Sequence, residues 1–245
     1  MKILFLIPAL ALAVMSANAQ EEIGVTIGDI TWATRNVDAP NTFAATPQDP
    51  GMFYQWNSNA GWTIDGVPSD GTSVWNEFWD GGGADTWKTA NNVCPAGWRI
   101  PTMEELENLL SSERVYQTTP ISGVTFGSGS NTIFLPEYGF LLEDGTSGAN
   151  ESIYWGNSCA SGNVGTLIVQ PHYSEVLLWS TPSARGGCVR CVKESTVGVN
   201  SISSDTEKAT VTAYFDMLGR ELKKEPATGL YIIRYDNGTA RKVVK

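Results

Sequence analysis

The chain of 245 residues contains four cysteines and a single histidine, the side chains with the most distinctive chemistry in the sequence. Thiols spaced as Cys188-x-x-Cys191 could form a redox pair or hold a metal ion, but both roles favour a helix start or a knuckle. The segment around these two cysteines instead has the pattern of a strand, which places their Cα atoms roughly 10 Å apart. A disulfide between them is excluded, because its Cα atoms must lie within about 7 Å.

Cys188 and Cys191 must therefore bond outward, to the two remaining cysteines. We favour the pairs Cys94–Cys191 and Cys159–Cys188, which require an oxidising compartment. The first pair would close a loop of roughly a hundred residues, for which loop-closure entropy gives about 4.7 kcal/mol of stabilisation. A redox or metal pair at Cys188 and Cys191 remains the alternative.

Other catalytic patterns are sparse. The sequence has no Gly-x-Ser-x-Gly segment to supply a nucleophilic serine for which His172 could act as the base. We therefore expect His172 to be a loop residue. Acidic residues such as Glu105 lie near the start of a predicted helix, where they favour the helix dipole. Aspartates before glycine, as in Asp70-Gly71, follow from turn chemistry, and none repeats the alternating acidic pattern of a calcium loop. We predict no catalytic residue, no metal and no cofactor.

The aromatic residues of the irregular region 33–92 are the remaining candidates for a site. Trp62, Trp75, Trp79 and Trp87 stand among Gly and Asp residues. Exposed rings there could stack on a sugar or anchor a protein. The alternative is that these rings fill a core made of loops. We predict a ligand-binding surface at these four tryptophans.

Short strands and one helix are expected to position these residues. Val25–Trp32 has the alternation of a first strand. Thr102 and Glu105 form a capping box that starts a helix extending to about Glu113. Short apolar runs predict strands at 133–135, 140–142, 153–155, 167–169, 176–179 and 188–192. The predicted fold class is α+β, with short antiparallel strands, one helix and long loops.

The chain is expected to have three regions. Residues 1–19 have the basic start, apolar run and small-residue exit of a cleaved signal peptide, and the run is too short to span a membrane. Residues 20–195 form the main domain. Residues 196–245 comprise a polar linker and a small all-β module, with strands at 211–217, 229–235 and 241–244. The formal net charge of −10 argues against a nucleic-acid partner.

Seven motifs of the main domain, from Trp32-Ala-Thr-Arg-Asn-Val37 to Val189-Arg-Cys-Val192, resemble those of the Fibrobacter succinogenes major paralogous domain. The resemblance implies a C-type-lectin-like fold, related to that of formylglycine-generating enzymes. Those enzymes bind copper through two late cysteines, but the spacing of Cys188 and Cys191 is shorter. The motifs that carry the resemblance are Trp32-Ala-Thr-Arg-Asn-Val37, Ala39-Pro40, Thr42-Phe43-Ala44, Gly51-Met-Phe-Tyr-Gln-Trp-Asn57, Cys94-Pro-Ala-Gly-Trp-Arg-Ile-Pro-Thr102, Trp179-Ser-Thr181 and Val189-Arg-Cys-Val192.

Three motifs in the last fifty residues, which begin at Tyr214, Gly229 and Lys242, resemble those of the type A C-terminal sorting domain of the type IX secretion system. The residues that carry this are Tyr214-Phe-Asp-Met-Leu-Gly-Arg220, Gly229-Leu-Tyr-Ile-Ile-Arg234 and Lys242-Val-Val-Lys245. The resemblance implies export to the extracellular space or outer-membrane surface of a Bacteroidota bacterium, with the secretion machinery as a partner. A generic Ig-like module is the alternative interpretation.

Together these features predict a secreted, surface-displayed binding module that recognises a glycan or a protein without catalysis. Two alternatives remain open at this stage. The first is an oxidase similar to formylglycine-generating enzymes, or another surface enzyme, which needs a free thiol or a pair of carboxylates in a cleft. The second is a structural surface subunit.

Overall fold

The computed structural model describes residues 22–194, 210–216, 219–236 and 240–244. The chain divides into two compact units, the first ending at Lys193 and the second beginning at Glu194. The predicted signal peptide and linker lie outside the described residues. Within the described ranges, no helix is long and apolar enough to cross a membrane.

The first unit consists mostly of antiparallel strands and has one α-helix, as the sequence predicts. Its helix is α1 (Met103–Leu110). Its strands are β1 (Val25–Ile27), β2 (Ile30–Trp32), β3 (Phe53–Gln55), β4 (Gly61–Trp62), β5 (Trp98–Arg99), β6 (Arg114–Gln117), β7 (Gly123–Ser128), β8 (Asn131–Pro136), β9 (Phe140–Leu141), β10 (Ser147–Gly148), β11 (Ser152–Ala160), β12 (Asn163–Gln170), β13 (Glu175–Pro182), β14 (Gly186–Gly187) and β15 (Val192–Lys193).

These strands form four sheets, with the orders β1-β2-β15-β5, β10-β9-β14-β3-β4, β11-β12-β13 and β6-β7-β8. The late strand β15 lies between strands from the start and the middle of the unit, because Val192 pairs with both Trp32 and Arg99. The first sheet therefore joins segments that are far apart in sequence.

The predicted first strand is two strands instead of one. Thr26 pairs with Thr31 and Ile27 pairs with Ile30, so β1 and β2 form a hairpin. The turn consists of Gly28 and Asp29, and Gly28 has a φ of 60°. Glycine adopts this left-handed conformation without the steric cost that a Cβ brings. Because the turn has only two residues, the alternation of apolar and polar residues continues through it. The sequence pattern therefore resembles that of a single strand.

Helix α1 begins where its capping box predicts. The Glu105 amide donates to the Thr102 hydroxyl, and the Thr102 amide donates to the Glu105 carboxylate. The same carboxylate accepts two hydrogen bonds from the Arg99 guanidinium, at 2.6 and 2.8 Å. Leu106 and Leu109 bury the inner face of the helix, which ends at Leu110, earlier than predicted.

The sheet β11-β12-β13 separates two hydrophobic cores. Its strands have eight or nine residues, longer than the sequence suggested. Tyr154 and Leu167 pack into one core together with α1 residues Leu106 and Leu109. Trp155, on the opposite face, packs into the other core. Both faces of the central strand are thus covered.

A buried arginine connects the segments that carry the main-domain resemblance. Arg190 is 1% exposed. Its guanidinium donates to the Asn36 side chain and to the carbonyls of Ala33 and Phe134, at 2.8 to 3.1 Å. Burial lowers the pKa of Arg190 to about 10, so it remains protonated at neutral pH. These motif residues thus hold the fold together, and this gives them a role that needs no ligand.

The second unit is a four-stranded antiparallel sheet with the order β17-β16-β18-β19. Its strands are β16 (Val211–Phe215), β17 (Glu221–Leu222), β18 (Leu230–Tyr235) and β19 (Ala240–Val244). Three of them lie where the sequence predicts strands. The segment Asp236-Asn237-Gly238, whose composition predicts a hairpin turn between the last two strands, lies outside the described residues from Asn237 onward.

Candidate functional site

The first predicted disulfide is confirmed. Cys94 and Cys191 are bonded, with Cα atoms 6.0 Å apart and a sequence separation of 97. Both residues are buried in the core that contains Trp155. The bridge ties the segment before α1 to the segment before β15.

The second predicted disulfide, Cys159–Cys188, is wrong: both residues are free cysteines. Cys188 lies beside Tyr154, and its amide donates to Ile153 at 2.7 Å. Cys159 pairs with Val164 on β12, which lies three positions from Leu167, the partner of Tyr154, or roughly 10 Å along the strand. That separation exceeds the roughly 7 Å that a disulfide allows between Cα atoms.

Neither free thiol has an environment that favours the reactive thiolate. Cys188 is buried, and burial raises its pKa to about 12. Partial burial also raises the pKa of Cys159, and the nearby carboxylates Asp85 and Asp80 add to the shift. Reactive cysteines have lowered pKa values, whereas at Cys188 burial outweighs the positive charge of the nearby Arg190, so these two do not have the features of a catalytic pair.

The single histidine lies in a short 3-10 turn, Pro171–Tyr173. Its Nε2 is 3.4 Å from the Glu137 carboxylate, which also accepts a hydrogen bond from the Ser122 hydroxyl. A nucleophilic serine must bond to the imidazole that takes its proton. Here Ser122 bonds to the carboxylate, so the arrangement is not that of a nucleophile and its base.

The acidic turn residues satisfy their own loops. Asp70 accepts hydrogen bonds from Ser73 and from the Thr72 amide, and these bonds lower its pKa to about 2. Asp144 accepts from Thr146 in the same way. Across the described ranges, no three His, Cys, Asp or Glu side chains come together in a group that could hold a metal ion.

The four tryptophans predicted to bind ligand turn inward. Trp62 and Trp87 are buried, with 4% and 9% of their surface exposed, and Trp75 and Trp79 are half-buried. Trp62 and Trp75 pack edge to face, with ring centroids 5.3 Å apart.

Their polar atoms are used inside the loops. The indole N–H groups of Trp75, Trp79 and Trp87 donate to backbone carbonyls at 2.7 to 2.8 Å. A buried indole usually requires such a partner. Trp62 and Trp75 pack into one hydrophobic core and Trp87 into the other, which leaves little ring surface for a ligand at these positions. Ligand binding by these four residues stays a prediction.

The exposed tryptophan is Trp179, which our prediction of the site missed. All nine tryptophans lie within the described residues, and Trp179 is the one whose side chain is mostly exposed, at 65%. It belongs to β13, beside a shallow depression of about 430 Å³ lined by Asn163, Leu178, Trp179 and Ser180. One feature of the sequence could have singled out Trp179: it lies on a predicted strand, whereas the four predicted tryptophans lie in the irregular region 33–92.

The position of Trp179 in the sheet explains its exposure. Trp155, Thr166 and Trp179 lie opposite one another on adjacent strands and share a face of the sheet. Trp155 and Thr166 are buried, and Trp155 packs into the core that contains Cys94 and Cys191, whereas Trp179 lies on the edge strand and is exposed. The Thr166 hydroxyl bonds to the Trp179 carbonyl, and β12 pairs with β13 through eight consecutive residues, so the ring projects from a fixed backbone.

A second depression, of about 390 Å³, lies near Trp98. Arg35 lies over the Phe43 ring and Lys193 over the Trp98 ring, at 5.6 and 5.9 Å. Arg35 also pairs with Glu22 at 2.8 Å. The chain's own cations therefore occupy the faces of both rings, which makes this depression a weaker candidate than the one at Trp179.

Comparisons of the chain with protein families, curated proteins and solved structures give no match. Function must therefore be inferred from the geometry described above and from the sequence motifs.

Proposed function

We propose that this protein is a non-enzymatic binding module that recognises a glycan or a protein through the surface around Trp179. The observation that carries the proposal is the exposure of this one tryptophan on a strand held by regular pairing, while the other eight rings are buried or half-buried. An exposed indole on a rigid strand presents an aromatic face that can stack on a sugar ring or pack against a protein side chain.

The expected energetics fit an anchor residue. An aromatic side chain buries about 150–250 Å² in a contact. Covering the exposed part of Trp179 would contribute about 2–3 kcal/mol, which is the size of an interface hot spot. Asn163 and Ser180 add polar groups beside the ring that can fix a ligand's orientation.

The wider context belongs to the same proposal. We infer a C-type-lectin-like main domain of the Fibrobacter succinogenes major paralogous type, exported by a type IX sorting domain in residues 196–245 and displayed outside a Bacteroidota cell. The sequence motifs support this inference, and the antiparallel sheet of the second unit is compatible with it. Fractionation of cells with and without residues 196–245 tests it, and we expect the truncated protein to remain in the periplasm.

The binding proposal is tested by replacing the ring. Binding of wild-type protein and of Trp179→Ala to a broad glycan array and to linear peptides would be measured by tryptophan fluorescence and calorimetry. Phe78→Ala is the control, because Phe78 is 82% exposed and lies in the tryptophan-rich loop. We expect at least tenfold weaker binding for Trp179→Ala and no change for the control. Equal binding by all three proteins contradicts the proposal.

A further inference from the structure

The two edges of the sheet β11-β12-β13 differ in how their backbone groups are satisfied. Along β11, alternate residues direct N–H and C=O groups away from β12. Other segments of the chain bond to these groups and close the edge. The bonds join Cys188 N–H to Ile153 O, Trp155 N–H to Cys188 O, Asn157 N–H to Pro101 O, Trp87 N–H to Asn157 O and Cys159 N–H to Asp85 O.

Strand geometry shows which groups of β13 face outward. Backbone groups alternate in direction along an antiparallel strand. Because Trp155 directs its groups away from β12, its partner Thr166 directs its own groups toward Trp179 on β13. Leu178 and Ser180, on either side of Trp179, therefore direct their backbone groups toward the outer edge.

That outer edge of β13 is open within the described part of the chain. β13 is the last strand of its sheet. No described residue forms a hydrogen bond with the outward-facing backbone groups of Val176, Leu178 or Ser180. An edge of this kind is a template for an additional strand.

β13 also lacks the features that commonly protect an edge strand. It pairs with β12 through eight residues without a bulge, and its one charged residue is Glu175, at the start. Its proline is at the far end, at Pro182. The edge strand β6 is different, because it has four residues and begins with the charged Arg114. Short edges, charges, bulges and prolines are the usual protections.

We propose that β13 binds an extended peptide segment of a protein partner as an added β-strand. This inference rests on the proposed function and deepens it, because the same surface around Trp179 is used. The partner's backbone would bond to Leu178 and Ser180, and an apolar side chain would lie on Trp179 in the adjoining depression. Backbone bonds supply affinity in strand addition, and pockets for alternate side chains supply specificity.

Charge indicates which peptides are suited to this edge. The chain has 26 acidic and 16 basic residues, and Glu175 lies at the start of the strand. A peptide with basic flanking residues is therefore favoured over an acidic one. The same acidity opposes pairing with a second copy of this chain, since two copies of net charge −10 repel each other.

The test uses a display library of linear ten-residue peptides against the full exported chain. The strongest peptide would then be measured against Ser180→Pro, Ser180→Ala and Trp179→Ala. Proline removes the outward N–H of Ser180 without breaking the ladder to β12, whereas alanine keeps that N–H. Ser180 is exposed, so both changes avoid the core. We expect Ser180→Pro to weaken binding at least tenfold and Ser180→Ala less than twofold.

A second measurement leaves the protein unchanged. The peptide would be N-methylated at single positions, and we expect losses at alternate positions only, as strand pairing requires. This readout keeps the inference testable even if Ser180→Pro fails to fold, which its melting temperature would reveal.

The remaining outcomes separate this inference from the proposed function. If Trp179→Ala abolishes binding while Ser180→Pro and N-methylation have no effect, strand addition is overturned and the binding module remains. Binding of glycans with no binding of peptides likewise overturns strand addition alone. Sedimentation could also show a dimer for the wild-type protein and a monomer for Ser180→Pro. That result would mean that the edge of β13 binds a second copy of this chain, and it overturns the proposal of a partner peptide. If no variant changes binding, both proposals fail.

Discussion

The tryptophan-rich loops and the edge strand β13 use the same side chain in opposite ways. In the loop-rich region 33–92, Trp62 and Trp87 are buried, and the indoles of Trp75 and Trp79 bond to the chain's own carbonyls. On β13, regular strand pairing holds the backbone, and Trp179 remains exposed. Irregular segments need large rings to build a core, whereas a strand with a complete ladder can leave a ring outside. A high density of tryptophan in a loop therefore indicates stabilisation more than recognition.

The largest effect is expected from removal of the Cys94–Cys191 disulfide, which links the end of the loop-rich region to the segment before β15. Replacing both Cys94 and Cys191 with serine should lower the free energy of unfolding by about 4–5 kcal/mol, because the closed loop spans 97 residues. Urea unfolding measures the change. Cys159→Ser is the control and should cost about 1 kcal/mol or less, because Cys159 is only partly buried against the core that contains Trp155 and forms no disulfide. A loss below about 1 kcal/mol for the double variant would show that the loops are held mainly by packing.

The contrast itself is tested by paired alanine substitutions. Trp62→Ala should destabilise the protein by about 3–5 kcal/mol, because it leaves a cavity in a packed core. Trp179→Ala should cost less than about 0.5 kcal/mol, since the ring has few contacts to lose. Thermal unfolding of the two variants side by side gives the comparison. Similar losses at both positions would remove the distinction between the two regions.

Arg190 tests whether the motif segments are architectural. Arg190→Met should lower the free energy of unfolding by about 2–3 kcal/mol, because Asn36 and two buried carbonyls lose their donor. Arg185→Met is the control: that arginine pairs with Glu143 at a partly exposed site and should contribute about 1 kcal/mol or less. Chemical denaturation measures both. A neutral Arg190→Met would mean that methionine packing replaces the polar network.

The smallest expected effect is the pH dependence of the stability that Glu105 contributes at the start of α1. Burial raises the pKa of Glu105, but hydrogen bonds from Arg99 and Thr102 outweigh it, so the net pKa is lowered. A lowered pKa gives stability that is present above the unfolded-state value and lost as pH falls through the folded-state value.

Wild-type protein should therefore exceed Glu105→Gln in stability at pH 7, by not more than about 1 kcal/mol after solvent screening. The difference should shrink as the pH is lowered below about 4.5, near the ordinary glutamate pKa. Melting temperatures across pH 3 to 7 follow it. A constant difference would assign the effect to helix capping alone.

Local signals allowed part of the fold to be predicted. The capping box of Thr102 and Glu105 placed the start of α1, since it involves residues three positions apart. The strand predicted at 188–192 excluded a bond between Cys188 and Cys191 and left two pairings, of which the favoured bond between Cys94 and Cys191 is confirmed. The strand itself is not found, because within that segment only Val192 belongs to a strand, β15. These inferences depend on short-range geometry, which the sequence encodes directly.

The errors have a shared physical origin in tertiary placement. The predicted pairing of Cys159 with Cys188 was wrong because Cys188 pairs with Tyr154 of β11 and not with a residue near Cys159. Neither segment's sequence indicates which residue of β11 will lie beside Cys188. The exposure of Trp179 and the burial of Trp62 depend on which loops cover which face. Alternation of polar and apolar residues identifies the two faces of a strand. It does not indicate which residues on a face are buried by other segments of the chain.

The sheet that lies between the two cores limits how this domain can diversify in evolution. Since β12 is enclosed on both sides, each substitution there must satisfy neighbours above and below at once. Heritable variation should therefore accumulate along the rim, where β13 meets solvent, and the domain could acquire new partners there without redesign of its interior.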